Sequence, residues 1–235
     1  MISDLLGGYS RYRFGALPLS PPSGGDEAGG TPLGGWPKRL VDITFALTGL
    51  VFAAPLMLVV ALLIKRFDPG PVFYGHERVG FGGRAFRCYK FRTMATDGAA
   101  LLAAHLAGDP EAAREWRETQ KLRHDPRVSL LGRALRKSSL DELPQLLNIL
   151  RGEMSCVGPR PIVRDELERY GANGGDYLRA RPGLTGIWQV TGRSSAEYAT
   201  RVLLDSNYVR GWSLRSDFVI LCRTPRALLR VGEAC

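Results

Sequence analysis

The chain has 235 residues with 45% apolar side chains, enough for one substantial domain with a core plus short tails. Its 32 Lys+Arg against 23 Asp+Glu leave a net charge of +9, which points to an anionic partner such as nucleic acid, a phosphorylated metabolite or a lipid surface. Four scattered cysteines, Cys88, Cys156, Cys222 and Cys235, lack any CxxC spacing; this excludes a small disulfide-stapled scaffold and reads as free thiols in a reducing compartment.

Residues 1–37 carry 9 Gly and 5 Pro and read as a disordered tail, with no signal peptide ahead of the first apolar run. That run, Leu40 to Ile64, is bracketed by Lys38-Arg39 and Lys65-Arg66. As a straight helix it would extend roughly 37 Å at ~1.5 Å per residue, enough for a hydrocarbon layer of ~30 Å. Hydropathy alone favours a plain spanning helix. However, Asp42 lies near one end, Pro55 removes an internal hydrogen bond, and basic flanks at both ends give no direction, so a bent, re-entrant segment fits the same residues.

Pro71 to Met94 reads as two strands joined at Phe81-Gly82-Gly83-Arg84. The glycines serve a turn, while Arg78, Arg84, Arg87, Lys90 and Arg92 keep an anion site open as a second reading. Residues 95–137 read as helices broken at Asp109-Pro110 and Asp125-Pro126. Next comes "SSLDELPQLLNIL", Ser138 to Leu150, with two adjacent acids at the mouth of an apolar helix. Ser139 and Glu142 have capping-box spacing, and Asp141 is the alternative N-cap that suits Pro144 better. Either option puts carboxylates at a helix N-terminus, where the dipole favours their ionised form. An ionised Asp beside a bound phosphate can act as a nucleophile if arginines or Mg²⁺ offset the repulsion. Arg136, one turn upstream, and Arg160 in "GPRP" are the arginines at hand.

Four blocks then resemble the bacterial sugar transferase family: "KFRTM" (Lys90 to Met94), "SSLDELPQLLNILRGEMSCVGPRP" (Ser138 to Pro161), "RPGLTGIWQVTGR" (Arg181 to Arg193) and "DSNYVRGWSLRSD" (Asp205 to Asp217). They resemble its small monotopic polyprenyl-phosphate phosphoglycosyl transferases, which start exopolysaccharide and glycan assembly. The resemblance implies transfer of a hexose-1-phosphate from a UDP-sugar to polyprenyl (undecaprenyl) phosphate with release of UMP. Asp141 matches the nucleophile that forms a covalent phosphosugar intermediate. Glu142 matches its Mg²⁺ partner, and Arg136 and Arg160 match phosphate- and nucleotide-site arginines. Lys90, Asp205 and Asp217 match positions tied less directly to the substrate site; a turn acid and a helix cap are the alternatives for the two aspartates.

The resemblance also replaces the spanning helix with a re-entrant helix-hairpin broken at Pro55, which keeps both flanks on the cytoplasmic face of the bacterial inner membrane. The expected fold is α/β and mostly helical: tail 1–37, membrane helix 38–68, and catalytic domain 69–235 with a small β-hairpin or sheet. Trp188, Trp212, Phe218, Ile220 and Leu221 are expected either on an interfacial surface among lipid headgroups or in the core. "FDPGPVFY", one residue short of the family pattern, leaves the exit from the membrane helix open, and "VGEAC" departs from the family's tail. No helix-turn-helix, RRM or zinc pattern supports nucleic-acid binding, and a scaffolding role rests on the anchor alone. The sequence leaves the transferred hexose and the oligomeric state open, a homo-oligomer included.

Overall fold

A computed structural model describes residues 30–119, 122–191 and 198–229. The tail from 1 to 29 and the closing "VGEAC" lie outside the described residues. Helix α1 (Gly35–Phe67) starts three residues before Lys38, and Leu33 already donates its N–H to the Arg179 carbonyl at 2.9 Å, tying residues before the helix to the body. It is one continuous helical element with Pro55 inside it, and it ends at Asp68 with Lys65 and Arg66 in the last turn, where cations suit the helix dipole.

Strands β1 (Phe73–Val79) and β2 (Ala85–Phe91) form an antiparallel hairpin that turns at Phe81–Gly83, where the sequence places the turn. The helices α2 (Gly98–Gly108) and α3 (Pro110–Thr119) are separated at the expected Asp109-Pro110 break, and α4 (Leu130–Lys137) follows the second break. A 3-10 turn at Leu140–Glu142 precedes α5 (Gln145–Arg151). β3 (Ser155–Val157) and α6 (Arg164–Glu168) lead into α7 (Gly174–Leu178), β4 (Gly183–Thr185) and α8 (Ile187–Val190). The long helices α9 (Tyr198–Arg210) and α10 (Leu214–Leu229) complete the described chain. β3 and β4 form a second, parallel pair, so the sheet content is two separate two-stranded units.

One main core joins the elements, with Ile149, Met154, Cys156, Val157, Tyr208 and Ile220 buried together. Ile220 and Trp212 belong to this core, whereas Phe218 is 68% exposed, so the expected interfacial set divides by helical phase. Asn148, fully buried on α5, binds α5 to β2: its Oδ1 accepts from the Tyr89 N–H at 3.0 Å and its Nδ2 donates to the Arg87 carbonyl at 2.7 Å. A buried amide stays in place when its donors and acceptors are satisfied in this way, which fixes α5 against the hairpin.

Both ends of α1 dock on this body. Near its start, Lys38 Nζ meets Asp217 Oδ2 at 2.5 Å, and Asp42 Oδ1 accepts from Ser155 Oγ at 2.9 Å and the Cys156 N–H at 2.8 Å. Near its end, Val60 and Ile64 pack with Phe91 and Leu135. Buried positions 38, 42, 46, 60 and 64, with partly buried 49, 53 and 57 between them, form one stripe of helical period. Most of the remaining helix surface is exposed, Phe52 to 81%. Beyond the helix, Arg92 meets Asp68 Oδ1 at 3.3 Å and donates to the Asp68 carbonyl, which defines the exit that "FDPGPVFY" left open.

Candidate active site

The acids of "LDEL" do not cap a helix. Ser139, with φ 56, adopts the left-handed conformation that non-glycine residues rarely take, and it reverses the chain between α4 and the 3-10 turn that carries Asp141 and Glu142. α5 begins only at Gln145, with Pro144 before it, and neither Ser139 nor Asp141 makes a side-chain cap. Both capping options are therefore corrected, because the acids sit on a separate 3-10 turn ahead of Pro144 and α5. At Gly132 of α4 a Cβ would collide with the Thr93 carbonyl, and this close approach lets Arg136 Nε reach Thr93 Oγ1 at 2.8 Å.

Asp141 is 7% exposed and Glu142 partly buried, and both face a large open cavity. Lys90 Nζ lies 2.6 Å from Glu142 Oε1 and 4.0 Å from Asp141 Oδ2. Burial raises the Asp141 carboxyl to about 6, with Lys90 pulling it down, Glu142 pushing it up and Arg136 pulling it down. At neutral pH it is still mainly ionised.

The hairpin forms one wall of the cavity. Strand alternation turns Tyr74, His76 and Arg78 of β1 toward it with Lys90 and Cys88 of β2, leaving Arg84 and Arg87 outside it. His76 is held below its ordinary value by burial and by neighbouring Arg78 and Lys90, so it is neutral at pH 7. Arg127, also in the lining, is paired with Asp125 at 2.6 Å. The Cys88 thiol is pushed up to about 11 by burial, which removes it as a nucleophile.

A second basic arm lies beyond the carboxyl ends of the parallel strands. "GPRP" leaves β3 and α8 follows β4, which brings the Arg160 guanidinium 5.9 Å from the Trp188 ring centroid. Arg201 of α9 stacks on the same ring at 5.7 Å. Asp205 is buried behind Arg160, accepts from Tyr170 OH at 3.0 Å and from the Arg160 backbone N–H, and has its carboxyl raised to about 6 by burial. It supports the loop without lining the cavity. Asp217 is farther away: its oxygens meet Lys38, Tyr208 OH at 2.7 Å and Trp212 Nε1 at 3.0 Å, so the structure assigns it to the seating of α1 and not to the cavity.

The structure therefore brings Lys90, Arg136, Asp141, Glu142 and Arg160 to one cavity and leaves Asp205 and Asp217 outside its lining. His76 and Thr93 are cavity residues that the sequence did not single out, the alternation of Tyr74, His76 and Arg78 being the available signal for the first, and Trp188, expected at an interface or in the core, lines the cavity instead. Among the described residues no three His, Cys, Asp or Glu side chains gather as a metal cluster. The Asp141–Glu142 pair fits Mg²⁺ in the manner this ion prefers, with one or two carboxylates and the remaining oxygens from substrate phosphate. Lys90 now holds a cationic group against both carboxylates, evidence that the spot favours positive charge.

The profile of the bacterial sugar transferase family matches residues 34–231. The exopolysaccharide production protein ExoY of Sinorhizobium fredii is 53% identical over 203 residues, covering 86% of this chain and 90% of that protein. The undecaprenyl-phosphate galactose phosphotransferase of Salmonella typhimurium is 51% identical over 193 residues, covering 82% of this chain and 40% of that longer protein. The UDP-glucose:undecaprenyl-phosphate glucose-1-phosphate transferase of Caulobacter vibrioides is 41% identical, covering 84% of this chain and 71% of that protein.

Proposed function

The chain belongs to the bacterial sugar transferase family, and from that premise we propose that it moves a hexose-1-phosphate from a UDP-sugar to polyprenyl phosphate, releasing UMP, as a first membrane step of exopolysaccharide or glycan synthesis. The observation that carries this reading is the buried carboxylate of Asp141 set among Lys90, Arg136 and Glu142 in one open cavity, with Arg160 on a separate arm.

In this reading Asp141 attacks the sugar-bearing phosphorus of the donor. A carboxylate–phosphorus bond forms, the bond from that phosphorus to the bridging oxygen breaks, and UMP leaves with the electron pair. A phosphate oxygen of the acceptor then attacks the same phosphorus, displacing Asp141 and giving a polyprenyl diphosphate sugar. Neither attack needs a general base, because both nucleophiles are already anions. Arg136 and Lys90 offset the charge gathered at the reacting phosphorus. Arg160, stiffened by its flanking prolines and by the contact of its backbone with Asp205, holds the nucleotide phosphate. Glu142 and Asp141 would hold Mg²⁺, which supplies charge stabilisation on the diphosphate.

Helix α1 is the one described helix long and apolar enough to cross a membrane. We read it as re-entrant. The docking of Lys38 and Asp42 at one end and of Val60 and Ile64 at the other on a single body supports this, because a perpendicular span would carry one end to the far side of the bilayer. The catalytic body then lies on the cytoplasmic face of the inner membrane, where soluble nucleotide sugar is available.

The test is product identity. With Mg²⁺, a panel of UDP-hexoses and polyprenyl phosphate, the purified chain should release UMP in step with lipid-linked sugar. Release of UDP would sink this reaction class.

A further inference from the structure

A second concavity, of about 490 Å³, shares no lining residue with the catalytic cavity. The turn into β2 supplies Phe81 and Arg84, the end of α5 supplies Arg151 and Glu153, and Arg181 comes from the approach to β4. Three arginines thus converge on a space with one carboxylate in its lining. That carboxylate is committed to the fold, because Glu153 Oε2 accepts from Asn148 Nδ2 at 2.6 Å. Among the described residues, none of the three guanidinium groups is ion-paired.

The end of α5 accounts for part of this charge. Arg181 Nε donates to the Gly152 carbonyl at 2.8 Å, and Arg39 of α1 donates to the Ile149 and Leu150 carbonyls at 2.5 and 2.8 Å. These two arginines therefore satisfy carbonyls that a helix C-terminus leaves without partners. Arg84 and Arg151 have no such task. Both are exposed, Arg84 on the hairpin and Arg151 with its guanidinium 5.1 Å from the Tyr89 ring centroid. The crowding is felt by Arg181, which burial and then the charge of Arg39 hold below its ordinary value.

We propose that this concavity is a second ligand site, binding the phosphate group of a phosphate ester among Arg84, Arg151 and Arg181. An anion there relieves the like-charge crowding, and the guanidinium fork matches phosphate oxygens in pairs. The volume falls in the range of small-molecule pockets, more than a bare ion needs, and Phe81 and Phe86 offer apolar surface to the body of the ester. Two sources supply this chemistry: a soluble phosphate ester, or the headgroup of an anionic phospholipid. The second is a source because the foot of the apolar helix, with Leu40 58% exposed, adjoins Gly152 through Arg39. The transferase reading plays no part in this inference.

The experiment follows the melting temperature of the full chain in micelles of an uncharged maltoside detergent, which a bound ligand raises with its occupancy. The probes are glycerol 3-phosphate and, separately, phosphatidylglycerol added to the micelles. Arg84→Gln and Arg151→Gln are compared with Arg87→Gln, which removes the same charge from an exposed position in neither lining, and with Glu153→Gln, which keeps an acceptor for Asn148 and removes the negative charge. Binding in the catalytic cavity is common to all four variants, so differences among them report the second site. Loss of a charged donor should weaken glycerol 3-phosphate about tenfold in Arg84→Gln and Arg151→Gln. Arg87→Gln should match wild type, and Glu153→Gln should bind more tightly. The same pattern with phosphatidylglycerol alone would support the site with a lipid headgroup as its occupant. Should Arg151→Gln fail to fold, the exposed Arg84 still decides. No shift with either probe, or equal shifts in all four variants, would overturn the inference.

Discussion

Asp141 pays for its position in the fold with a raised carboxyl, and that gives the residue a signature apart from turnover. Its ordinary value near 3.8 rises to about 6, first through burial. The folded state therefore resists ionisation of Asp141. The group costs nothing below pH about 4, where it is protonated folded or unfolded, and its cost is complete above pH 6, where it is ionised in both. Asp141→Asn removes the charge at nearly constant shape. It should raise the melting temperature by a few degrees at pH 8, with the gain fading as pH falls from about 6 to about 4, while sugar transfer drops by at least 10³-fold. A pure cap would instead keep both its stability and its activity, because Asn caps as well as Asp. The same shift predicts that kcat/KM for the donor, which reports the free enzyme, rises with pH through an acid limb near 6; a profile flat from pH 5 to 8 would contradict the burial argument. The place of Asp141 and Glu142 in one cavity with Lys90 and Arg136 was legible through the family blocks around them. Their local conformation was not, because the left-handed Ser139 sits in a string that spells a capping box equally well.

At the scale of elements, α1 was legible in length and hydropathy, while the helix runs on through Pro55, where a break was expected. Its seating was hidden, since Asp42 finds Ser155 at 113 residues' separation and Lys38 finds Asp217 at 179. A buried charged residue is retained where its partners are supplied, and here the partners come from β3 and α10. Asp217 thus has the buried environment of a functional acid and a structural task. The hairpin was legible from its turn, but which of its five cations face the cavity followed from register alone. The two docked ends make a topological prediction. In a background with Cys222 and Cys235 replaced by serine, Thr31→Cys and Lys137→Cys should both resist an impermeant maleimide in intact cells and react after lysis. Modification of Thr31→Cys from outside with Lys137→Cys protected would show a spanning helix.

Across the whole molecule, the cavity of Asp141 joins a basic wall from the hairpin to an arginine–tryptophan pair beyond the parallel strands. No one segment contains this arrangement, which is why the sequence blocks identified the participants without their grouping. In the proposed reaction a water-soluble donor and a lipid acceptor would use this one carboxylate in turn, so the two halves of the reaction need not coincide. The most direct measurement of that claim uses a UDP-sugar labelled in the sugar, supplied to the full chain with Mg²⁺ and no lipid acceptor. The account predicts a protein-bound label, released UMP in equal amount, discharge of the label on adding polyprenyl phosphate, and no label on Asp141→Asn. UMP release that waits for the acceptor, with no label on the wild-type protein, would contradict it.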